Sequence, residues 1–111
     1  MDWINLNSEE QLQEIKNKSI YKPQVIFKHS SRCSLSSVAK NRLDKVSPPD
    51  GIDFYFLDLI KHRDISNKIS REFDVYHESP QILLIKNGES VYDESHTAIN
   101  MQEIAEHALV A

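Results

Sequence analysis

The chain has 111 residues, a formal net charge of −4 and a 40% share of hydrophobic residues. This length and composition fit one folded unit with its own core, so we expect a single domain over residues 1–111. The negative charge gives no reason to expect nucleic acid or an anionic membrane as a partner. We expect no membrane span, because no apolar stretch is long enough, and no secretion signal, because the N-terminus lacks a basic region followed by an apolar core.

The cysteine content bears on the cellular compartment. Cys33 is the single cysteine of the sequence. One unpaired thiol argues against a disulfide-stabilised fold and favours a reducing compartment, which predicts a cytoplasmic protein. The usual zinc site needs about four nitrogen or sulfur ligands in close spacing. The histidines are scattered along the chain, so no metal site is predicted.

The first half of the chain predicts strands that alternate with helices. A short strand over residues 3–6 leads to a helix that Ser8 caps, with Gln11 three residues later as in a capping box. The apolar run 24–29 is continuous rather than alternating, which indicates a central strand covered on both faces. The next helix begins at or just before Cys33 and carries apolar residues at helical spacing, namely Leu35, Val38, Ala39, Leu43 and Val46.

The second half predicts a further strand, a helix and a hairpin. Residues 52–59 form a strand, and 61–73 form a helix with its apolar residues on one side. Residues 81–86 and 89–93 flank Asn87-Gly88, a strong hairpin signal. A last helix follows the cap at Asn100. The resulting order, β-α-β-α-β-α-β-β-α, predicts an α/β fold with a central mixed sheet flanked by helices.

The position of Cys33 indicates a reactive thiol. The predicted central strand delivers it to the first turn of a helix, where the helix N-terminus favours the thiolate, the nucleophilic form. Its neighbours are polar, namely Ser31, Arg32, Ser34 and Ser36. The alternative is a small buried hydrophobic residue, which is what most free cysteines are. The polar surroundings favour a reactive thiol.

The order of elements resembles the thioredoxin fold over nearly the whole chain. Cys33 stands where that family has its attacking cysteine, and the run 80–89 is similar to the thioredoxin hairpin. Ser79-Pro80 resembles the family's cis-proline dipeptide. The resemblance implies a cis peptide bond and, at Ser79, backbone groups that pair with an extended substrate. The alternative is a proline that merely begins a strand.

Two departures from thioredoxins are chemically consistent with each other. The family's C-x-x-C is here Cys33-Ser34-Leu35-Ser36, and the family's buried acid falls on Phe27. That acid assists proton movement at the resolving thiol, and both are absent here. The segment 27–36, together with Ser95-His96, resembles the monothiol bacilliredoxins, small cytosolic proteins linked to the low-molecular-weight thiol bacillithiol.

The resemblance to bacilliredoxins implies a function and its partners. A monothiol thiol–disulfide oxidoreductase would use Cys33 to remove bacillithiol, or another low-molecular-weight thiol, from mixed disulfides on proteins. That small thiol would be the co-substrate, and no tightly bound cofactor is expected. The expected partners are proteins that carry mixed disulfides, and the enzyme is expected to act as a monomer.

Several residues near Cys33 are candidates for supporting roles. The Ser36 hydroxyl either donates a hydrogen bond to the thiolate or serves only as a helix cap, and Ser34 would contribute mainly its backbone N–H. Arg32 is either a solvated loop residue or a cation that stabilises the thiolate and binds a substrate carboxylate through its planar guanidinium.

Three further candidates belong to the same predicted edge of the sheet. Lys28 and His29 come at the C-terminal end of the central strand, where ligands bind in open α/β sheets. We predict thiolate-stabilising or substrate-binding roles for both, although a lone histidine is more often structural. His96 either closes the substrate groove or caps the turn after the hairpin.

Two other functions are compatible with the same residues. A non-catalytic adaptor would bind its partners through the groove at Ser79 and Pro80 and perform no exchange. A redox sensor would have Cys33 modified reversibly, without turnover. Substitution of Cys33 by serine discriminates the adaptor from the enzyme.

Overall fold

The computed structural model describes residues 1–110, and its elements follow the predicted order. The elements are β1 (Ile4–Asn5), α1 (Glu10–Lys18), β2 (Gln24–His29), α2 (Ser34–Asp44), β3 (Asp53–Asp58), α3 (Arg63–Phe73), β4 (Gln81–Lys86), β5 (Glu89–Ser95) and α4 (Met101–Leu109), with a short 3₁₀ turn over His96–Ala98 before α4. The α/β class is confirmed. Over residues 1–110, no helix is long and apolar enough to cross a membrane.

The five strands form one mixed sheet in the order β1-β3-β2-β4-β5. β1, β3 and β2 are parallel, which requires crossover connections, here through the helices. β4 runs antiparallel to β2, and β5 pairs back on β4. The turn between them uses Asn87 and Gly88 at φ 53° and 78°. These left-handed conformations are typical of a type I′ hairpin turn, as the sequence predicts.

β2 lies at the centre of the sheet and is buried along its whole length. Ile26 joins the core formed with α1 and α3, whereas Val25 and Phe27 join the core formed with α2 and α4. Two covered faces explain why the strand is a continuous apolar run. Successive side chains of β2 therefore reach opposite faces, which decides where Lys28 and His29 lie.

The predicted apolar face of α2 is partly wrong. Ala39 and Leu43 are buried, but Leu35, Val38 and Val46 are 44%, 51% and 47% exposed. The face toward the sheet includes the fully buried Ser36 instead. The spacing of apolar residues predicts the wrong buried face because the polar residue Ser36 occupies one of the inward positions. Three predicted core side chains thus remain at the surface.

The ends of the helices follow the predicted signals in part. At α4 the Asn100 side chain accepts a hydrogen bond from Glu103 N at 2.9 Å, as a cap does. At α1 the Gln11 Oε1 accepts from the backbone N–H of Ser8 at 3.0 Å, which is half of a capping box. α1 begins at Glu10, and Ser8 makes no reciprocal bond to its backbone. α3 begins at Arg63, two residues later than predicted.

Candidate active site around Cys33

Cys33 occupies the N-cap position of α2. Its backbone is extended, at φ −112° and ψ 119°, and its side chain is partly exposed. The Cys33 carbonyl accepts hydrogen bonds from Ser36 N and Ser37 N at 3.1 and 3.3 Å. An acceptor side chain at an N-cap meets the N–H groups of the second and third helical residues. The Cys33 side chain makes no such bond in this structure, and the first turn of α2 carries no acidic residue that would oppose a thiolate there.

A set of hydrogen bonds fixes the loop that presents Cys33. Cys33 N donates to Ser30 O at 3.1 Å, and Arg32 N donates to Ser30 Oγ at 3.4 Å. The backbone N–H of Ser30 donates to Ser36 Oγ at 3.2 Å. Ser36 is fully buried. Its hydroxyl therefore joins the first turn of α2 to the end of β2, and its predicted bond to the thiolate stays a prediction.

Aromatic rings fill the space beside β2 where a thioredoxin would carry its buried acid. Phe27 is fully buried, and its ring stacks on Trp3 with centroids 5.6 Å apart. Phe56 lies 5.9 Å from Trp3 and 6.2 Å from Phe27. Lys40 Nζ lies above the Phe56 ring at 5.7 Å. Phe27 itself supplies no carboxyl group at this position, and the carboxylate that contacts the cluster is that of Asp44, which accepts from Trp3 Nε1 at 2.8 Å.

His29 lies on the same face of the sheet as Phe27. Its ring is 5.2 Å from Phe56, its exposed fraction is 9%, and its Nδ1 is buried without a hydrogen-bond partner. Burial lowers the pKa of His29, and the Asp58 carboxylate opposes this only in part. The imidazole is therefore neutral at pH 7. Its predicted role in tuning the thiol stays a prediction.

Lys28 lies on the opposite face of the sheet, away from Phe27 and His29. Its side chain is fully buried, and Nζ contacts Ser70 Oγ at 3.3 Å and His77 Nδ1 at 3.2 Å. Burial lowers the pKa of Lys28 to about 8. The structure therefore does not bring Lys28 to the surface beside Cys33. A substrate carboxylate there has Arg32, not Lys28, as its candidate partner.

Ser79 and Pro80 lie at the same edge of the sheet as Cys33. The antiparallel register pairs Lys28 with Gln81, so the residues just before β4 are next to the end of β2. The Ser79–Pro80 peptide bond is cis. Among the described residues, no backbone hydrogen bond outside the helices and strands uses Ser79. The predicted pairing of these groups with an extended substrate stays a prediction.

His96 adjoins this dipeptide. Its backbone N–H donates to Pro80 O at 3.0 Å, and its Nε2 lies 3.4 Å from a carboxylate oxygen of Glu78. Arg42 of α2 donates to the carbonyls of Thr97 and Ile99, at 2.8 and 3.2 Å. The turn after β5 is thus bound to both sides of the site. This arrangement leaves both predicted roles of His96 open.

Arg32 and Ser34 are exposed on either side of Cys33. Over residues 1–110 the Arg32 guanidinium has no ion-pair partner, so it is free to bind a ligand carboxylate. In the same range, no three side chains of histidine, cysteine, aspartate or glutamate lie close enough together to hold a metal ion.

Sequence reasoning missed four residues that shape this site. Trp3 and Phe56 build the aromatic cluster, and their signal was an aromatic residue just before β1 and the aromatic residues of β3. Glu78 and Gln81 flank the Ser79–Pro80 dipeptide, where Gln81 Nε2 donates to Tyr76 O at 2.9 Å. Gln81 is a polar residue that begins a buried strand, and this exception to the apolar pattern could have singled it out.

A mixed sheet of this order with one thiol at the N-terminus of the helix after its central strand defines a thioredoxin-fold oxidoreductase. A solved structure assigned as an oxidoreductase with a thioredoxin fold is 32% identical, with a TM-score of 0.82 over 94% of this chain and 91% of that chain. The thioredoxin of Malassezia sympodialis aligns at 18% identity and TM-score 0.74, over 96% and 91%. That of Fasciola hepatica aligns at 16% and 0.68, over 93% and 97%. The two thioredoxins show the fold alone.

The family is given by a match to the sequence model of the monothiol bacilliredoxin BrxC, which covers residues 4–104. The chain therefore belongs to the monothiol bacilliredoxin family. Both the resemblance noted from the segment around Cys33 and the predicted thioredoxin fold are confirmed. The general assignment to thioredoxin-fold oxidoreductases follows.

Proposed function

We propose that this protein is a monothiol oxidoreductase that removes a low-molecular-weight thiol, specifically bacillithiol, from mixed disulfides on proteins. The observation that carries the proposal is the geometry of Cys33. It lies at the N-cap of α2, while the fourth position of its motif holds a buried serine bonded to Ser30. A nucleophilic thiol without a resolving thiol beside it suits exchange with one small thiol at a time. Membership in the bacilliredoxin family supports bacillithiol as that thiol.

The reaction consists of two balanced exchanges. The Cys33 thiolate attacks the bacillithiol sulfur of the mixed disulfide, so a new S–S bond forms and the client sulfur leaves as a thiolate. A second bacillithiol, as thiolate, then attacks the bacillithiol sulfur bound to Cys33. Bacillithiol disulfide leaves, and the Cys33 thiolate is regenerated. Each step depends on the thiolate fraction of the attacking sulfur and on the leaving-group pKa.

The same geometry argues against efficient reduction of intact protein disulfides. Attack on such a disulfide would leave the client attached to Cys33, and Cys33 is the only cysteine of the sequence. Release would then depend on an external thiol. The Phe27–Trp3 stack also leaves the site without the buried acid that assists proton transfer in dithiol thioredoxins.

Substrate binding is assigned to the exposed groups around the thiol. Arg32 pairs with a carboxylate of bacillithiol, and the free backbone groups of Ser79 pair with an extended segment of the client protein. His96 borders that groove through its bond to Pro80 O. The single unpaired cysteine favours the reducing cytoplasm as the place of action, and no step requires a second copy of the chain.

A turnover assay tests this function. The substrate is a client protein labelled with bacillithiol, supplied with excess bacillithiol, and the product is free client thiol. We expect catalysis by the wild type, none by Cys33→Ser, and little reduction of insulin. The Ser37→Ala variant is the control, because Ser37 is exposed on the same helix. Client binding that survives in Cys33→Ser with no turnover by the wild type would instead indicate the adaptor.

A further inference from the structure

Three consecutive residues before the Ser79–Pro80 dipeptide are each contacted by a buried polar side chain. Gln81 Nε2 donates to Tyr76 O at 2.9 Å, and Glu78 N donates to Gln81 Oε1 at 3.4 Å. Lys28 Nζ contacts His77 Nδ1 at 3.2 Å. Lys28 and Gln81 are direct partners on β2 and β4, and they are 0% and 1% exposed. One cross-strand pair therefore holds the whole segment 76–78.

The buried Lys28 ammonium lowers the stability of the folded protein. Among the described residues it has no carboxylate partner within ion-pair distance. Its contacts are the Ser70 hydroxyl and the His77 ring. A buried charge with only neutral partners is destabilising relative to an apolar side chain of similar volume. The apolar core around Ile26 would accommodate such a side chain, so packing alone gives no reason for a lysine here.

We propose that Lys28 and Gln81 are positioning residues that hold residues 76–78 and thereby fix Ser79 and Pro80 as a binding edge for the client protein. The proposal rests on the function proposed above, since it concerns the client part of the mixed disulfide. It assigns Lys28 to client binding through the segment 76–80, and not to contact with the thiolate or with bacillithiol.

The molecule offers a matched control for this proposal. Gln24 is also fully buried in β2, but at the other end of the strand, and it donates to Asp53 Oδ2 at 2.9 Å. Gln24→Met removes a buried amide from the same sheet, as Gln81→Met does, far from the Ser79–Pro80 edge. Lys28→Met replaces the ammonium with an apolar chain of similar length. His77→Ala removes the same contact between Lys28 and His77 by changing an exposed residue. It takes the place of Lys28→Met in the test if that core variant fails to fold.

The decisive readout separates client binding from thiol reactivity. For Lys28→Met and Gln81→Met we expect KM for the protein mixed disulfide to rise about fivefold, the factor given by one net hydrogen bond. Alkylation of Cys33 by iodoacetamide, which needs no groove, should be unchanged, and Gln24→Met should change neither quantity. Unchanged KM in both variants, alkylation that slows in parallel, or an equal effect of Gln24→Met would overturn the proposal.

Hydrogen exchange keeps this test independent of the proposed function. Amides of residues 76–79 should exchange about fivefold faster in Lys28→Met and Gln81→Met than in the wild type or in Gln24→Met. If the wild type catalyses no de-thiolation, the proposed function fails. Hydrogen exchange still measures whether Lys28 and Gln81 hold residues 76–78 in place. Equal exchange in all four proteins would show that Lys28 and Gln81 do not hold the segment.

Discussion

The Ser36 hydroxyl accepts a hydrogen bond from the Ser30 backbone N–H at 3.2 Å, and this bond joins the two ends of the loop that presents Cys33. In a dithiol enzyme the corresponding position carries the resolving thiol. Here the residue is a serine, and it is fully buried. The site is therefore organised around one thiol, with the fourth motif position used to hold that thiol in place.

Removal of this hydrogen bond should weaken both the fold and the site. Ser36→Ala leaves the Ser30 N–H without its partner, so we expect the free energy of unfolding to fall by about 1–2 kcal/mol. Urea denaturation measures this change, with the exposed Ser37→Ala as control. Equal stability of Ser36→Ala and the wild type would show that the bond contributes nothing.

Introduction of a second thiol should extend the chemistry. In Ser36→Cys the new thiol can attack a client disulfide bound to Cys33, so we expect measurable insulin reduction where the wild type has little. The rate should stay low because Phe27 supplies no acid for proton transfer. Insulin turnover by the wild type equal to that of Ser36→Cys would contradict the single-thiol mechanism.

The aromatic cluster should not tolerate the thioredoxin-type acid. Phe27→Asp removes a ring stacked on Trp3 and buries a carboxylate without a partner, so we expect a loss of more than about 4 kcal/mol of stability. Phe27→Leu is the control, because it keeps the site apolar and should cost less. Thermal denaturation compares the two, and a Phe27→Asp protein as stable as Phe27→Leu would refute this account of the cluster.

Lys28 should give the protein a characteristic pH dependence of stability. Its pKa is about 8 in the folded chain, below the usual 10.5. Between these values the unfolded chain binds more protons, so stability should rise with pH. Below pH 8 both states carry the proton, and the full cost of burying the charge remains. The wild type should therefore gain stability relative to Lys28→Met from pH 8 to 10.5. A constant difference between the two proteins across this window would argue against the buried ammonium.

Arg32 should affect the binding of bacillithiol more than the rate of the thiol exchange itself. Arg32→Gln removes an exposed cation next to Cys33, so we expect KM for bacillithiol to rise about fivefold, the effect of one exposed ion pair. The difference should shrink at high salt because screening weakens exposed pairs. Arg71→Gln on α3 is the matched control. A KM for bacillithiol that is the same in Arg32→Gln and the wild type would remove Arg32 from the binding site.

The sequence predicts the sheet and the position of Cys33 because their signals are local. The apolar run of β2, the Asn87-Gly88 turn and the strand-to-helix junction each act over a few residues. The side-chain surroundings depend on elements distant in sequence. Lys28 follows a strand pattern that cannot tell which face α3 will cover, and His77 reaches it from a segment 49 residues away.

The helix after Cys33 shows a second limit of the same kind. Leu35 and Val38 fit helical spacing as well as the true core positions do, yet they are exposed. Only the packed structure reveals that Ser36 faces inward, because its inward position depends on the hydrogen bond to Ser30. The prediction therefore fails at polar residues in inward positions, namely Ser36 and Lys28.

The most direct test of the central claim is intact-protein mass spectrometry after a single turnover. The protein is mixed with a bacillithiol-labelled client in equal amounts and without free bacillithiol, and the reaction is stopped by acid. We predict that the protein gains the mass of one bacillithiol at Cys33, while the client loses it and regains a free thiol. Added bacillithiol should then return the protein to its original mass. A covalent complex between Cys33 and the client, or a client that keeps its label, would contradict the mechanism.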